Sequence, residues 1–386
     1  MGKCKDNIII SGLNIHDSNR GTAALGYGSI SFLFERGYLK EGQRLVNFRI
    51  YKNPFKKANL KDFVEIIEVE GIKWEHKILC ISIIETFLLK KWGLLLPFSR
   101  FRKVIKNTDL VAAINGGDGF SDIYNTKTFY SRLSDIEMAM RMGMSLILLP
   151  QTLGPFEYKS NFDIAVKILK YAKMVYVRDE KFVKELKQIG VRYERTKDLS
   201  YYMKPQPWEV DIKERAIGIN ISGLAYSNKY RTLTGQFEHY PELVDCLITH
   251  FRDKGHVVYL IPHSYIYGNP EPDNDDMVAC RQAYERLEDK TNVVLVDKNL
   301  ISPQVKYVIS KMSFFIGTRM HANFAAIYTG VPVFGLAYSY KFQGAFDANG
   351  LNGEKQTVMI NNIETSCFPD ILSKIDNYYL SIASEM

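Results

Sequence analysis

Short apolar runs alternate with helical patterns along most of this chain, which is the arrangement of α/β construction with mainly parallel sheets. Residues 8–11 predict a first strand, followed by a polar loop at 17–22 and a helix running to about Arg36, where Gly37 stops it. Further strands are expected at 110–114, 145–150 and 174–177. Helices are expected between them near 129–141, 162–172 and 180–189, the last ended by Gly190.

The pattern breaks at 200–210, where Pro205 and Pro207 in close succession forbid a regular element and mark a linker. A second α/β unit then begins, with strands predicted at 216–222, 256–262, 292–296, 314–316 and 331–335. Ser302 and Pro303 read as an N-cap and first-turn proline. A last helix near 368–382 could pack on either domain or cross between them. At 386 residues with 46% hydrophobic content, the chain can fill two cores. The expected organisation is an N-terminal domain over 1–200, a linker over 201–212 and a C-terminal domain over 213–386, each a Rossmann-like domain facing a shared cleft.

Five cysteines, at 4, 80, 246, 280 and 367, stand singly without metal-ligand spacing. They fit a reducing compartment and argue against structural zinc. No apolar h-region opens the sequence, so a cytoplasmic protein is expected. The formal charge of +7 changes the picture at one place: seven basic residues fall within 77–106, where Glu85 is the only acid. That stretch is rich in Ile, Leu, Phe and Trp but is broken by Lys90, Lys91 and Gly93. It reads as an amphipathic helix that could rest on an anionic bilayer, or as a domain helix with a solvated basic face. No motif accompanies the charge that would make nucleic acid a partner.

In parallel α/β sheets, ligands bind outside the carboxyl ends of the strands, and several polar clusters fall there. Thr318, Arg319 and His321 follow the strand at 314–316 and open a helix, with Thr318 as its N-cap. An Arg fork, an imidazole and a helix N-terminus together suit a phosphate or carboxylate; the alternative is that Arg319 pairs with a carboxylate. Asn19, Arg20, Gly21 and Thr22 could offer backbone N–H groups and a guanidinium to an anion, or simply cap a helix. In NGGDGF, residues 115–120, Gly116 and Gly117 permit close backbone approach and Asp118 is a candidate acid or base. Arg178 ends another strand. His263 ends a fourth, and Asp273, Asp275 and Asp276 follow it, open either to a divalent metal or to capping the next helix.

Together, GTRMHANFAAIYTGVPVFGLAYSYK, NRGTAAL, INGGDGF, LLPQTLGPF, VYVRDE and IPHSY resemble the polysaccharide pyruvyl transferase family, in order and over most of the chain. The resemblance implies a two-domain fold like that of GT-B glycosyltransferases, and transfer of pyruvate from phosphoenolpyruvate to a sugar as a cyclic ketal, with no further cofactor and no metal. It carries donor contacts to Arg319 and His321, with Thr318 and Arg178 beside them. The chemistry needs an acid and a base. His321 is the expected proton donor or electrostatic stabiliser, Asp118 the expected base on the acceptor hydroxyl, and His263 its rival. Asn19, Arg20, Gly116 and Gly117 would serve the acceptor. Asn115 stands where the family pattern has a third glycine, and Arg20-Gly21-Thr22 where it has an acidic residue, which bears on acceptor preference. The acceptor is expected to be a saccharide, such as a galactose unit of a lipid-linked precursor, which would give the basic apolar stretch a place at the inner membrane face. The competing readings are a GT-B glycosyltransferase using a nucleotide sugar, and a non-catalytic saccharide- or phosphate-binding protein.

Overall fold

Every residue of the first strand, Asn7–Ser11, is buried, as in a strand covered by helices on both faces. A computed structural model describes residues 6–52 and 61–383; Cys4 lies outside them. The chain divides into two compact units. One comprises residues 1–15 and 25–203, the other residues 16–24 and 204–386. The opening loop, expected in the N-terminal domain, therefore belongs to the second unit. Arg20 is the reason, because its guanidinium donates to carbonyl groups in that unit's interior.

The first unit is an eight-stranded sheet. In chain order its strands are β1 (Asn7–Ser11), β2 (Arg44–Tyr51), β3 (Phe63–Val69), β4 (Ile72–Ser82), β5 (Thr108–Ala113), β6 (Ser145–Gln151), β7 (Met174–Val177) and β8 (Tyr193–Arg195). They lie side by side as β3-β4-β2-β1-β5-β6-β7-β8. All neighbours are parallel except the β3–β4 hairpin at the edge. One face buries Ile9, Val46, Leu79, Val111, Leu148 and Val175 in a single core.

Strands β2, β3 and β4 were not expected from sequence. Val46, Leu79 and Ile81 enter the core, but polar and exposed residues interrupt the apolar pattern and cross-strand bonds tie the strands together. His76 is buried at 2% exposure between Glu65 (2.8 Å) and Asn47 (3.0 Å). The stretch 77–106 is corrected accordingly, because it is not one amphipathic helix. It finishes β4, forms the helix Ile83–Trp92 and, after a break, the helix Arg100–Lys106. Ser82 and Glu85 make a capping box, and Gly93 ends the first helix in the left-handed region at φ 69°. The single helix expected near 129–141 is also two, Thr126–Arg132 and Ser134–Arg141, parted at the buried Leu133.

The second unit holds six parallel strands, β9 (Ile217–Asn220), β10 (Val258–Leu260), β11 (Val293–Leu295), β12 (Phe314–Gly317), β13 (Val333–Ala337) and β14 (Thr357–Met359), in the order β11-β10-β9-β12-β13-β14. This is the doubly wound dinucleotide-fold order, whose switch point falls between β9 and β12. Side chains alternate between two cores: Phe314 and Ile316 enter one and Phe315 the other. The last helix, Phe368–Ala383, puts Phe368, Ile371 and Ile375 into the first of these cores. Residues 203–216 carry no helix or strand.

Candidate functional site

At the switch point of the second sheet, β9 and β12 pair with Gly317 opposite Asn220. The polar groups after β9, β10 and β12 therefore gather at one edge. A Cβ on Gly317 would lie 2.1 Å from Asn323 Oδ1, so only glycine lets the strand end pass this close. Asn220, fully buried, accepts the Arg319 backbone N–H at 2.9 Å and donates to the Ile261 carbonyl at 3.0 Å, which ties the three strand ends together.

Arg319, and not Thr318, is the N-cap residue of the helix Met320–Ile327. The Thr318 hydroxyl bonds instead to Tyr240 Oη at 2.7 Å, inside the core. Ser302 is likewise not a cap: the helix Ser302–Ile309 is preceded by Ile301, and the Ser302 hydroxyl donates to the Arg20 carbonyl at 2.6 Å.

The Arg319 guanidinium meets a carboxylate. Its Nη2 donates to Asp276 Oδ1 at 2.7 Å and to Asn274 Oδ1 at 2.9 Å, and its Nε to Asp276 Oδ1 at 3.1 Å. Asp276 is sealed from solvent and also accepts the backbone N–H groups of Gly223 (2.8 Å), His263 (3.1 Å) and Ser264 (2.9 Å). Burial opposes the Arg319 charge, but the Asp276 carboxylate, helped by the Tyr338 phenol, outweighs it and raises the pKa further. Asp275 caps the helix Asp276–Arg286, accepting from the Met277 and Val278 N–H groups. Among the described residues no three His, Cys, Asp or Glu side chains group as metal ligands.

His263 is 4% exposed, and its Nδ1 has no hydrogen-bond partner. Burial lowers its pKa well below the ordinary imidazole value, and the charges of His321, Arg20 and Arg319 lower it further. His263 is thus a neutral ring beside the Arg20 and Arg319 cations and the His321 imidazole. His321 is held at close range, since a Cβ on Gly21 would lie 2.5 Å from its Nδ1. Gly21 donates its N–H to the Asn19 side chain at 2.9 Å, and Asn19 bridges to Ser264.

Arg20 does not present its guanidinium to a ligand, as the sequence suggested it could. It is 8% exposed, donates through Nε to the Leu300 carbonyl at 2.8 Å and through Nη1 to the Asp17 carbonyl at 3.0 Å, and stacks 4.2 Å above Tyr265. Its charge reaches the site but its donors fix the loop.

Asp118, Gly116, Gly117 and Arg178 lie in the first unit. Gly116 and Gly117 both take positive φ, 72° and 88°. Asp118 is half-buried and accepts the Tyr124 hydroxyl at 2.8 Å. Burial, and next the Asp118 carboxylate, push the Tyr124 phenol up to about 12. Gln151, fully buried, links the ends of β5 and β6 by accepting from Asn115 N (3.1 Å) and donating to the Ala113 carbonyl (3.2 Å). Arg178, assigned from sequence to the donor with Arg319, finds its partners here: Nη1 bonds Asp198 at 2.5 Å and Nε bonds Thr152 at 3.1 Å. Sequence reading did not single out Asn220, Asn274 or Asp198. A polar residue closing an apolar strand, as in IGIN, and an Asp two residues before a Ser, as in KDLS, were the available signals.

A family model for polysaccharide pyruvyl transferase matches residues 19–340. The chain belongs to that family. The match takes in the opening loop, the NGGDGF turn, His263 and the Arg319 block. No curated protein sequence matches the chain. Among solved structures it is similar to UDP-GlcNAc 2-epimerase from Methanocaldococcus jannaschii, at 8% identity and TM-score 0.56, covering 96% of this chain and 91% of that one. A putative UDP-N-acetylglucosamine 2-epimerase from Listeria monocytogenes is similar at 13% identity and TM-score 0.53, covering 97% and 90%. These likenesses speak for the fold alone: two parallel-sheet α/β units of the GT-B class.

Proposed function

We propose that this pyruvyl transferase takes the enolpyruvyl group of phosphoenolpyruvate and sets it on a sugar as a cyclic ketal, releasing phosphate. The observation that carries the reading is the gathering of Arg319, His321 and the Arg20 charge around a helix N-terminus at the switch point of the second sheet. Phosphoenolpyruvate bears a phosphate and a carboxylate on the same carbon, and such a polyanion calls for converging cations. Asp276 and Asn274 engage Nε and Nη2 of Arg319 and the Tyr338 phenol also bonds its side chain, so the donor would meet a guanidinium already fixed in orientation.

In the balanced reaction an acid protonates the methylene carbon, leaving C2 electrophilic, and one sugar hydroxyl adds to C2 as a base takes its proton. Phosphate leaves with the C2–O electron pair, and a second hydroxyl of the same sugar closes the ketal and loses its proton. His321 is assigned the acid or charge-stabilising role. Asp118 is assigned the base, with the neutral ring of His263 as its rival, and Arg178 supports Asp118 electrostatically. No cofactor beyond the donor enters these steps.

On the same reading the acceptor is lipid-linked and the enzyme works at the cytoplasmic face of a membrane. Trp92 and Phe87 are each 51% exposed and Phe98 stands fully out, while the Lys91 ammonium lies against the first two rings. No helix among the described residues is long and apolar enough to cross a bilayer, so the contact would be peripheral. Sedimentation with anionic vesicles should fall on Trp92→Ser/Phe98→Ser and in high salt; binding unchanged by either would remove this part.

Phosphate release from phosphoenolpyruvate, with and without galactose-containing saccharides, tests the activity. Mass spectrometry should show one pyruvyl ketal gained, with turnover lost in His321→Gln. Absence of release with every acceptor, together with binding of a nucleotide sugar, would favour the glycosyltransferase reading.

A further inference from the structure

A second polar pocket lies wholly within the first unit, at the switch point of its own sheet. Beyond the ends of β1 and β5, a pocket of about 280 Å³ is lined by Ser11, Phe48, Asn115, Ser131, Arg132 and Asp135, among others. The backbone is drawn close here: a Cβ on Gly12 would lie 2.0 Å from the Ile114 carbonyl oxygen. No step of the proposed pyruvyl transfer uses Arg132 or Asp135.

The pocket's chemistry selects its ligand. Arg132 gives one donor, Nη1, to the Asn115 carbonyl at 3.2 Å, and its guanidinium lies 5.4 Å from the Tyr124 ring. The other charged lining group is Asp135, which sets a carboxylate against the Arg132 charge, so the pocket has no excess of positive charge to hold the phosphate and carboxylate of phosphoenolpyruvate. A carboxylate flanked by serine hydroxyls and backbone carbonyls suits hydroxyl groups, which both donate and accept hydrogen bonds, while the Phe48 and Ile50 side chains offer an apolar face to C–H groups. The volume lies just under the range of drug-sized sites, which suits a single sugar ring. Asp135 is half-buried, and burial holds its carboxyl above the ordinary value against the Ser11 hydrogen bond and the Lys90 charge. Gly116 lines the same pocket, two residues before Asp118.

We infer that this pocket binds one uncharged hexose ring of the acceptor saccharide, with Asp135 receiving hydrogen bonds from ring hydroxyls beside the NGGDGF turn. The inference rests on the proposed pyruvyl transfer for the word acceptor, but binding can be read without turnover. Saturation-transfer NMR with a panel of methyl hexopyranosides and methyl N-acetylhexosaminides is the direct probe. At least one glycoside should show saturation transfer from the wild-type protein. That signal should vanish in Asp135→Ala and in Ser131→Trp, a surface substitution that fills the pocket, while circular dichroism of both stays native. Where pyruvyl transfer is observed, Asp135→Asn should raise the acceptor KM about tenfold or more and leave the phosphoenolpyruvate KM within twofold. Glycoside binding that both variants abolish, in a protein that shows no pyruvyl transfer, would uphold the pocket and overturn the proposed reaction. No glycoside binding, or binding that survives Ser131→Trp, would overturn the pocket, whatever becomes of the reaction.

Discussion

Arg319 Nη2 stands 2.7 Å from Oδ1 of Asp276, whose carboxylate is fully buried and also receives three backbone N–H groups. The pair makes the arginine a structural element as well as a candidate donor ligand. A buried pair that loses one member leaves the other charge uncompensated, which costs about 3–5 kcal/mol.

Arg319→Ala should accordingly lower stability by about 3–5 kcal/mol, measured by denaturant unfolding of the second unit's transition. Arg319→Lys keeps the charge but cannot hold Asp276 and Asn274 together, and should fall between wild type and Ala. An Arg319→Ala stability within about 1 kcal/mol of wild type, on the order of a surface change, would show that Asp276 is satisfied without the guanidinium.

Gly21→Ala separates positioning from stability. The added methyl meets His321 Nδ1 at 2.5 Å and Cγ at 2.6 Å, and the ring must move. The cost in stability should be about 1–3 kcal/mol, as for overpacking. A displacement approaching about 1 Å at a reacting group costs about 100-fold in rate. The expected result is a large loss of phosphate release with the protein still folded; an unchanged rate would remove His321 from the reacting groups.

Tyr240→Phe tests what anchors Thr318. The variant deletes the 2.7 Å bond to the Thr318 hydroxyl and the 3.2 Å bond from Ser222 N–H, both buried. A loss of about 1–3 kcal/mol is expected from the stranded groups. Thr318→Val in the Tyr240→Phe background should then cost little, and that double-mutant cycle is the measurement.

The His263 ring should make stability depend on pH. Burial, reinforced by His321, Arg20 and Arg319, lowers its pKa in the folded protein well below 6.5. The unfolded chain takes up the proton near about 6.5, so between the two values the unfolded state binds more protons and stability rises with pH. The stabilising contribution is complete above about 6.5 and is lost as pH falls toward the folded value. Thermal melts followed from about pH 7.5 to about pH 5 should fall less steeply for His263→Gln than for wild type; equal slopes would mean the native ring protonates as readily as the unfolded one.

The α/β class, the break after residue 200 and most strands of the second unit follow from residue pattern without any fold in hand, because buried parallel strands such as Phe314–Gly317 are continuous apolar runs that need no partner to be recognised. The same pattern shows that Arg319, His321 and His263 follow strand ends, which in such sheets is where ligands bind. It does not reveal β2 to β4, of which β3 alone is at the edge, because polar residues such as Arg44, Asn47 and His76 interrupt the apolar pattern and find their partners across strands. What each strand-end side chain does is a property of the folded molecule. Arg319 and Asp276 are 43 residues apart, and Arg20 and Leu300 are 280 apart. Whether a guanidinium binds a ligand, a carboxylate or a carbonyl depends on which groups the fold brings within about 3 Å, and local pattern carries no record of that. For the same reason Asp135, in sequence an acid at a helix start like any other, becomes a pocket residue only when β1 and β5 lie side by side.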